Sequence, residues 1–260
     1  MSLEVRKFDL VNGEGVTYTL TVANKFTGFL GEVDGLGYEK SPEYQKIGTE
    51  YEQLTDNINQ SVISGIIHFF QPYAYQKFTD FARYCQDNDL TLYYRIPTGL
   101  FMKKGSITKI EKSEGAESLK VKIDFTGKTL WYQDVESTTA ESPLKIISDS
   151  LIESPCCLSF TGLTVNNSTL SWSQKVDNAT IMTGSFSGVT IAATDTVFIR
   201  TDTNPYQIYK VSSGGTKTAL YAKSDFSTAR FPFLYKGENQ FLVTGASEIK
   251  VEGKELYETV

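Results

Sequence analysis

The stretch from Gln71 to Lys112 changes its hydrophobic period partway along, and this change limits the fold more than any other feature of the chain. In its first part the apolar residues recur every three or four positions, as on one face of a helix. They are Ala74, Phe78, Phe81, Ala82 and Cys85. Pro72 fits the first turn of that helix, where its missing N–H would have no partner. After Asp89 the period becomes 2, and FMKKGSITKIEK predicts a hairpin or a bent strand. We therefore expect one amphipathic helix that lies on strands.

Other segments of the first half also have strand patterns. Asn12-Gly13 predicts a tight hairpin turn, because both central residues of such a turn must tolerate positive φ. Residues 62–70 are β-branched and aromatic and predict a central strand. This strand holds His68, the only histidine of the chain, which we interpret as hydrogen-bonded to its neighbours rather than as a general base. Residues 119–125 alternate between apolar and polar, as in a half-buried strand.

The segment at residues 28–48 predicts a long excursion from the core. It contains five glycines and only scattered aromatic residues, and we expect one short strand at 35–38. Long loops inside compact domains commonly form an interface or carry a function.

A polar stretch at residues 133–143, rich in Ser, Thr and Glu, predicts the boundary between two domains. Beyond it, short strands alternate with turns of Gly, Asn, Asp, Ser and Pro, a pattern typical of a β-sandwich. Ser213-Gly214-Gly215 predicts one of the hairpin turns. The expected domains are residues 1–136 and 137–260, and the expected fold class is mainly β with one helix.

The composition excludes several classes of function. A net charge of −6 gives no basic excess for phosphate, so nucleic acid is not expected as a tightly held ligand. Three cysteines are too few for a disulfide scaffold or a four-thiolate zinc site, so we interpret Cys85, Cys156 and Cys157 as buried thiols in a reducing cytosol. No apolar run approaches the roughly 20 residues of a membrane span, and no signal peptide is apparent. We expect no catalytic, cofactor-binding or metal-binding residues.

Two segments carry a resemblance to a known family. Residues 73–114 contain the pattern Y…F..F…..D.L.LYYRIP…..KKGSITKIEKSE, and residues 231–260 contain a Leu-x-x-Gly-x-Asn turn at Leu234, Gly237 and Asn239. In this order the segments resemble the distal tail proteins of long-tailed siphophages that infect Gram-positive bacteria.

The resemblance implies a β-sandwich belt domain, with one α-helix and hairpins, that closes into a homo-hexameric ring. It implies a galectin-like β-sandwich as the second domain. The ring would join the tail tube protein to the tail-associated fibre or lysin protein at the virion tail tip, and receptor-binding proteins attach around it in some relatives. DNA would pass through without being gripped. The protein would be made in the host cytoplasm and would be neither an enzyme nor a membrane protein.

Two other functions stay open from the sequence. A carbohydrate-binding module would stack host-wall glycans on Trp172, the only tryptophan of the second half. However, that half has no histidine, and Asn204-Pro205 is followed by Tyr206 rather than by the arginine that galactose-binding galectins use. A hydrolase would need a carboxylate pair, and no motif selects one.

Overall fold

The computed structural model describes residues 6–20, 29–47, 49–86, 89–115, 118–140, 142–163, 167–225 and 231–260. It divides the chain into two compact units, residues 1–132 with 257–260 and residues 133–256. The division falls inside a strand, after Tyr132, whereas the sequence placed it after residue 136. The predicted mainly β class with one α-helix is confirmed within the described ranges. None of the helices there is long and apolar enough to cross a membrane.

The first unit is built on strands that run antiparallel in the order β2–β1–β7–β8–β9–β6–β3. Its elements are β1 Lys7–Val11, β2 Thr17–Thr19, β3 Phe29–Asp34, β4 Lys40–Ile47, β5 Glu50–Ile58, β6 Val62–Phe70, α1 Ala74–Tyr84, β7 Leu90–Ile96, β8 Gly99–Glu114, β9 Ser118–Gly127 and the start of β10 Trp131–Thr139.

Strand β8 connects the two parts of this sheet. Its first half pairs with β7 and its second half pairs with β9, with a register irregularity between Ile107 and Lys109. Of the two alternatives for this segment, the structure therefore has the bent strand. Side chains from both parts of the sheet meet in a single hydrophobic core, so the strands enclose that core as a β-sandwich.

Helix α1 lies on β6 and β9 and buries the apolar face that its sequence defines. Ala74, Phe81 and Cys85 are buried, and Phe78 and Ala82 are half-buried. The Phe81 ring lies 5.1 Å from that of Tyr18 and 5.8 Å from that of Phe69. The expected position of Pro72 is wrong, because the helix begins at Ala74 and Tyr73 caps it in the left-handed conformation, with φ of 77°.

Strands β4 and β5 form a separate two-stranded sheet that pairs with no other described strand. The expected short strand at 35–38 is wrong, because those residues lie between β3 and β4. The sequence did not reveal β4 and β5 because all described side chains of this hairpin are exposed. A strand with no buried face has no hydrophobic alternation to read.

The turn between β1 and β2 also differs from the expectation. Positive φ occurs at Gly15, at 80°, and not at Asn12 or Gly13. Asn12 instead closes a longer loop, in which its side-chain oxygen accepts a hydrogen bond of 2.8 Å from the backbone N–H of Val16. An Asn side chain that bonds the backbone a few residues ahead is a common way to close a turn.

The second unit is a sandwich of two antiparallel sheets. One has the strand order β17–β16–β15–β12–β21, and the other has the order β11–β20–β13–β14–β18. Its elements are β11 Leu144–Ser148, β12 Ser154–Thr161, β13 Asn167–Val176, β14 Ala179–Ile191, β15 Thr196–Arg200, β16 Gln207–Val211, β17 Lys217–Ala219, a 3-10 turn Tyr221–Lys223, β18 Ser224–Asp225, β19 Phe233–Leu234, β20 Gly237–Val243 and β21 Glu248–Tyr257. Inward side chains from both sheets form one core.

The polar stretch expected as a linker is largely strand. Residues 133–139 continue β10, with half-buried and exposed side chains in alternation. The Ser, Thr and Glu content that suggested a flexible connection therefore reflects a strand with little buried surface. Later in the same unit, the predicted turn at Ser213-Gly214-Gly215 connects β16 to β17, with Gly215 at φ of 80°.

Candidate functional site

The Leu-x-x-Gly-x-Asn turn of the second unit, residues 234–239, is held in place by hydrogen bonds of the Asn239 side chain. Asn239 is fully buried, and its side-chain oxygen accepts hydrogen bonds from the backbone N–H of Tyr235 at 3.0 Å and from the Gln174 amide at 3.1 Å. Its amide nitrogen donates to the carbonyl oxygens of Tyr235 at 2.7 Å and Gly237 at 3.2 Å. All hydrogen-bonding positions of this side chain are therefore occupied, as a buried amide requires.

Gly237 and Leu234 also stabilise this turn. Gly237 has φ of 102°, and a Cβ there would lie 2.7 Å from the carboxylate oxygens of Asp177. One of those oxygens accepts a hydrogen bond of 3.0 Å from the backbone N–H of Glu238. The Leu234 side chain is fully buried in the core. These residues therefore fix the entry to β20, and their geometry gives them a structural role.

We expect Asn239→Ala to lower the free energy of unfolding of the second unit by about 2–4 kcal/mol. The substitution removes the acceptor of the Tyr235 N–H and of one of the two N–H groups of the Gln174 amide, whose other N–H still donates to the Phe233 carbonyl, at about 1–3 kcal/mol for each lost partner. Urea unfolding followed by fluorescence in a Trp131→Phe background, where Trp172 is the only tryptophan, measures the change. Thr180→Ala, at an exposed site on the same sheet, is the control, and it should shift stability by less than about 0.5 kcal/mol. If Asn239→Ala lowers the free energy of unfolding by no more than the control does, the Asn239 hydrogen bonds do not stabilise the turn.

Trp172 does not present a ring to solvent. It is 3% exposed, its ring centroid lies 4.8 Å from that of Phe186, and a Cβ on Gly184 would clash with the indole at 2.1 Å. Beside it is an open groove of about 390 Å³. Hydroxyl side chains dominate the groove lining, at Ser171, Ser173, Thr183, Ser185 and Thr244. The geometry therefore gives Trp172 a place in the core and no exposed face on which a sugar could stack.

The described residues that could carry chemistry are dispersed. Burial raises the pKa of the Cys85 thiol to about 12, raises that of Cys157 to about 11, and raises that of Cys156 as well, so all three are protonated at neutral pH. His68 is half-buried on β6, where its ring stacks 6.2 Å from that of Phe70. Across the described ranges, no three His, Cys, Asp or Glu side chains lie close enough together to hold a metal ion.

Exposed apolar side chains instead mark the surface of the first unit. Tyr44 and Tyr51 on the β4–β5 hairpin are 56% and 68% exposed. Tyr44 pairs with Gln53 and Tyr51 pairs with Lys46 across the hairpin, and residues opposite each other in an antiparallel pair share a face. The two tyrosines therefore lie on the same face, which we call the tyrosine face of the hairpin.

A second exposed aromatic group lies around the start of α1. It consists of Phe70, Tyr73 and Tyr75, each about half exposed or more. The ammonium group of Lys112 lies 5.5 Å from the centre of the Tyr75 ring. Exposed aromatic clusters of this kind are enriched at protein–protein contacts. Sequence reasoning placed Tyr44 in an excursion from the core, at residues 28–48, but it did not single out Tyr51 or the group at Phe70, Tyr73 and Tyr75 as surface features.

Comparison with known proteins agrees with this architecture. A family model described as "Distal tail protein, N-terminal domain" matches residues 7–128. The chain is similar to a protein in the phage p2 baseplate in its activated conformation with Sr, at 16% identity and a TM-score of 0.63, over 98% of this chain and 100% of that one. The same baseplate with Ca gives the same values.

The chain is also similar to SPP1 Dit, described as a paradigm of hub adsorption apparatus in Gram-positive infecting phages. The identity is 13% and the TM-score is 0.69, over 96% of this chain and 99% of that one. At these identities the likeness shows a shared fold over nearly the whole chain. Comparison with curated proteins gave no match.

Proposed function

We propose that the chain is a distal tail protein, because the model of that family's N-terminal domain matches residues 7–128, and that six copies close into a ring at the tip of a phage tail. The ring is an adaptor. It joins the tail tube protein on one face to the tail-associated fibre or lysin protein on the other, offers places for receptor-binding proteins around it, and leaves a channel for DNA. It acts through shape and contacts, without catalysis.

The β4–β5 hairpin is the observation that carries this proposal. An isolated two-stranded hairpin is at best marginally stable in water, because it has no hydrophobic face to bury. Here its strands pair only with each other among the described residues, and it presents the two exposed tyrosines on one face. Docking the tyrosine face on a neighbouring copy would remove both rings from water and would supply the missing tertiary support.

The aromatic group at Phe70, Tyr73 and Tyr75 supplies a second surface of the same unit for such contacts. Specific, stable interfaces bury on the order of 1,200–2,000 Å² of total surface, with aromatic side chains enriched. The hairpin and this group together offer five exposed rings to that area. A ring needs two different surfaces on each copy, one for each neighbour, and two separate aromatic groups support that arrangement.

The charge of the chain supports the proposed channel. The net charge is −6, so the surface as a whole repels rather than binds a polyanion. DNA that passes through the ring would then meet little attraction to slow it. Synthesis in the bacterial cytoplasm, followed by incorporation into the virion tail, agrees with three buried and unpaired cysteines.

The second unit is proposed as a galectin-like sandwich on the outside of the ring. A fold of this type can serve protein attachment without binding sugar. Because Trp172 is buried, the geometry does not favour the alternative of a carbohydrate-binding module that depends on this residue. The second unit is therefore proposed as a mounting surface for other tail proteins.

The mass of the native particle tests the proposal. We expect light scattering or native mass spectrometry of the purified protein alone to give six times the chain mass of 29.0 kDa, and its complex with the tube or fibre partner to contain six copies of the chain. Negative-stain images should show rings with a central opening. A monomer at every concentration, both alone and with those partners, would refute the ring.

A further inference from the structure

Lys103 on β8 is a buried cation without a counter-ion. Its side chain is 2% exposed, and no carboxylate in the described parts of the chain forms an ion pair with it. Its ammonium nitrogen lies 5.2 Å from the centre of the Trp131 ring. Lysine is rarely buried unless it is paired, because removing an ammonium group from water costs several kcal/mol. The Trp131 ring offers a cation–π contact but no negative charge, so a buried lysine without a carboxylate partner marks a candidate site for an anion.

The surroundings of Lys103 leave space for that partner. A pocket of about 300 Å³ in the first unit is lined by Lys103 together with Ser61, Gly127, Lys128, Thr129 and Glu258. The Ser61 hydroxyl oxygen is buried and has no hydrogen-bond partner within the described ranges. The pocket therefore combines a cationic group with a free hydroxyl donor, and these are the two kinds of group that hold an oxyanion.

Gly127 brings these two groups together. A Cβ at Gly127 would lie 2.4 Å from Cε of Lys103 and 3.3 Å from the Ser61 hydroxyl oxygen, so the Lys103 side chain and the Ser61 hydroxyl group both lie against Gly127. The backbone there is held by hydrogen bonds from the Gly127 N–H to the Ser61 carbonyl at 2.9 Å and from the Gln60 amide to the Gly127 carbonyl at 2.9 Å. These two hydrogen bonds fix the position of the Gly127 backbone beside Lys103 and Ser61.

Burial has a measurable effect on Lys103. Desolvation lowers the pKa of its ammonium group to about 8, because burial disfavours the charged form. An anion placed beside the ammonium group would act in the opposite direction and raise that pKa. Lys104, the next residue, is exposed on the other side of the strand and provides an internal reference.

We propose that this pocket binds one oxyanion, a carboxylate or a phosphate, between the ammonium group of Lys103 and the hydroxyl group of Ser61. All residues of this pocket belong to one chain, so anion binding does not require ring formation. The anion comes either from solution or from an acidic side chain of another protein chain in the tail. Both sources supply the same chemistry, and the experiment separates them.

Competitive labelling with acetic anhydride, followed by peptide mass spectrometry, gives the midpoint pH of amine reactivity for Lys103 and Lys104 in the full-length protein. With chloride as the only anion, Lys103 should have its midpoint near its lowered pKa. Inorganic phosphate or acetate at equal ionic strength should raise the Lys103 midpoint by about one pH unit. At pH 8 its labelling should then slow about fivefold, because less of the amine is neutral. Lys104 should not change.

The source of the anion is identified by measuring the midpoint pH of Lys103 labelling again, on assembled material that has been washed free of phosphate. A midpoint that is already raised there indicates a carboxylate from another chain, and one that rises only after phosphate is added indicates a free ion. Both results support the site. Steric shielding alone would slow labelling without moving the midpoint. A Lys103 midpoint that neither anion nor assembly moves would overturn the proposal.

Two variants check the residue assignment. Lys103→Met keeps most of the volume and removes the charge, so the protein should fold, and phosphate should no longer raise its Tm as it does for the wild type. Ser61→Ala should reduce the phosphate-induced shift of the Lys103 midpoint while leaving the midpoint in chloride unchanged. An equal rise of Tm with phosphate in Lys103→Met and in the wild type would also overturn the proposal.

Discussion

Replacing Phe81 with alanine is expected to lower the free energy of unfolding of the first unit by about 3–5 kcal/mol. The Phe81 ring is fully buried between Phe69 on β6 and Tyr18 on β2, and it holds the helix on the sheet. Removing this ring loses the stabilisation that comes from burying a large aromatic group. It also leaves a cavity between the helix and the sheet that the strands cannot move to fill. Few single substitutions in this chain should cost more.

Phe78 provides a graded comparison on the same helix. It is half-buried, and it touches Phe69 only edge-on at 6.2 Å. The sequence alone predicts the same loss for Phe78→Ala as for Phe81→Ala, but the structure separates the two residues. We expect Phe78→Ala to cost about half as much, because only part of its ring is removed from water in the folded protein. Gln76→Ala, at an exposed position, should change stability by less than about 0.5 kcal/mol.

Tryptophan fluorescence can follow this unit alone. The chain has two tryptophans, Trp131 in the first unit and Trp172 in the second. With Trp172→Phe as the background, urea unfolding monitored by fluorescence reports on the surroundings of Trp131. A loss of less than about 1 kcal/mol for Phe81→Ala would mean that the helix face does not contribute to the core.

The sequence predicts the buried strands of this fold because burial imposes a period on them. Residues 62–70 and 119–125 show this, since buried positions alternate with half-buried or exposed ones and every buried side chain is apolar. The helix is predicted for the same reason, with a period of 3.6. Its start is misplaced by two residues, because Pro72 fits a first turn as well as it fits the turn before it.

The candidate surfaces could not be predicted in this way. The described side chains of the β4–β5 hairpin, at residues 40–47 and 50–53, are exposed on both faces, so this part of the sequence carries no alternation, and glycines nearby suggested a loop. Lys103 did leave a signal. Adjacent residues of a strand point to opposite sides, so one of Lys103 and Lys104 had to face inward. The sequence does not say which one, nor that Gly127 on a neighbouring strand makes room for it.

Removing the tyrosine face of the hairpin is expected to dissociate the proposed ring. In the variant Tyr44→Ser with Tyr51→Ser, the hairpin loses both of its exposed rings. Buried aromatic anchors at the centre of an interface commonly contribute about 2 kcal/mol or more each. Losing two at each contact should therefore weaken association by about a thousandfold. Light scattering at micromolar concentration should then give the mass of the single chain, 29.0 kDa.

The opposite face of the same hairpin offers a matched control. Gln45 pairs with Glu52 there, one position away from each tyrosine. The variant Gln45→Ser with Glu52→Ser changes two residues of the same strands while it keeps the tyrosine face, so its particle mass should equal that of the wild type. Loss of the ring in both variants would indicate that hairpin folding matters and not the tyrosine face. A ring that survives the tyrosine variant would show that the copies associate through another surface, and the aromatic group at Phe70, Tyr73 and Tyr75 would then be the first to test.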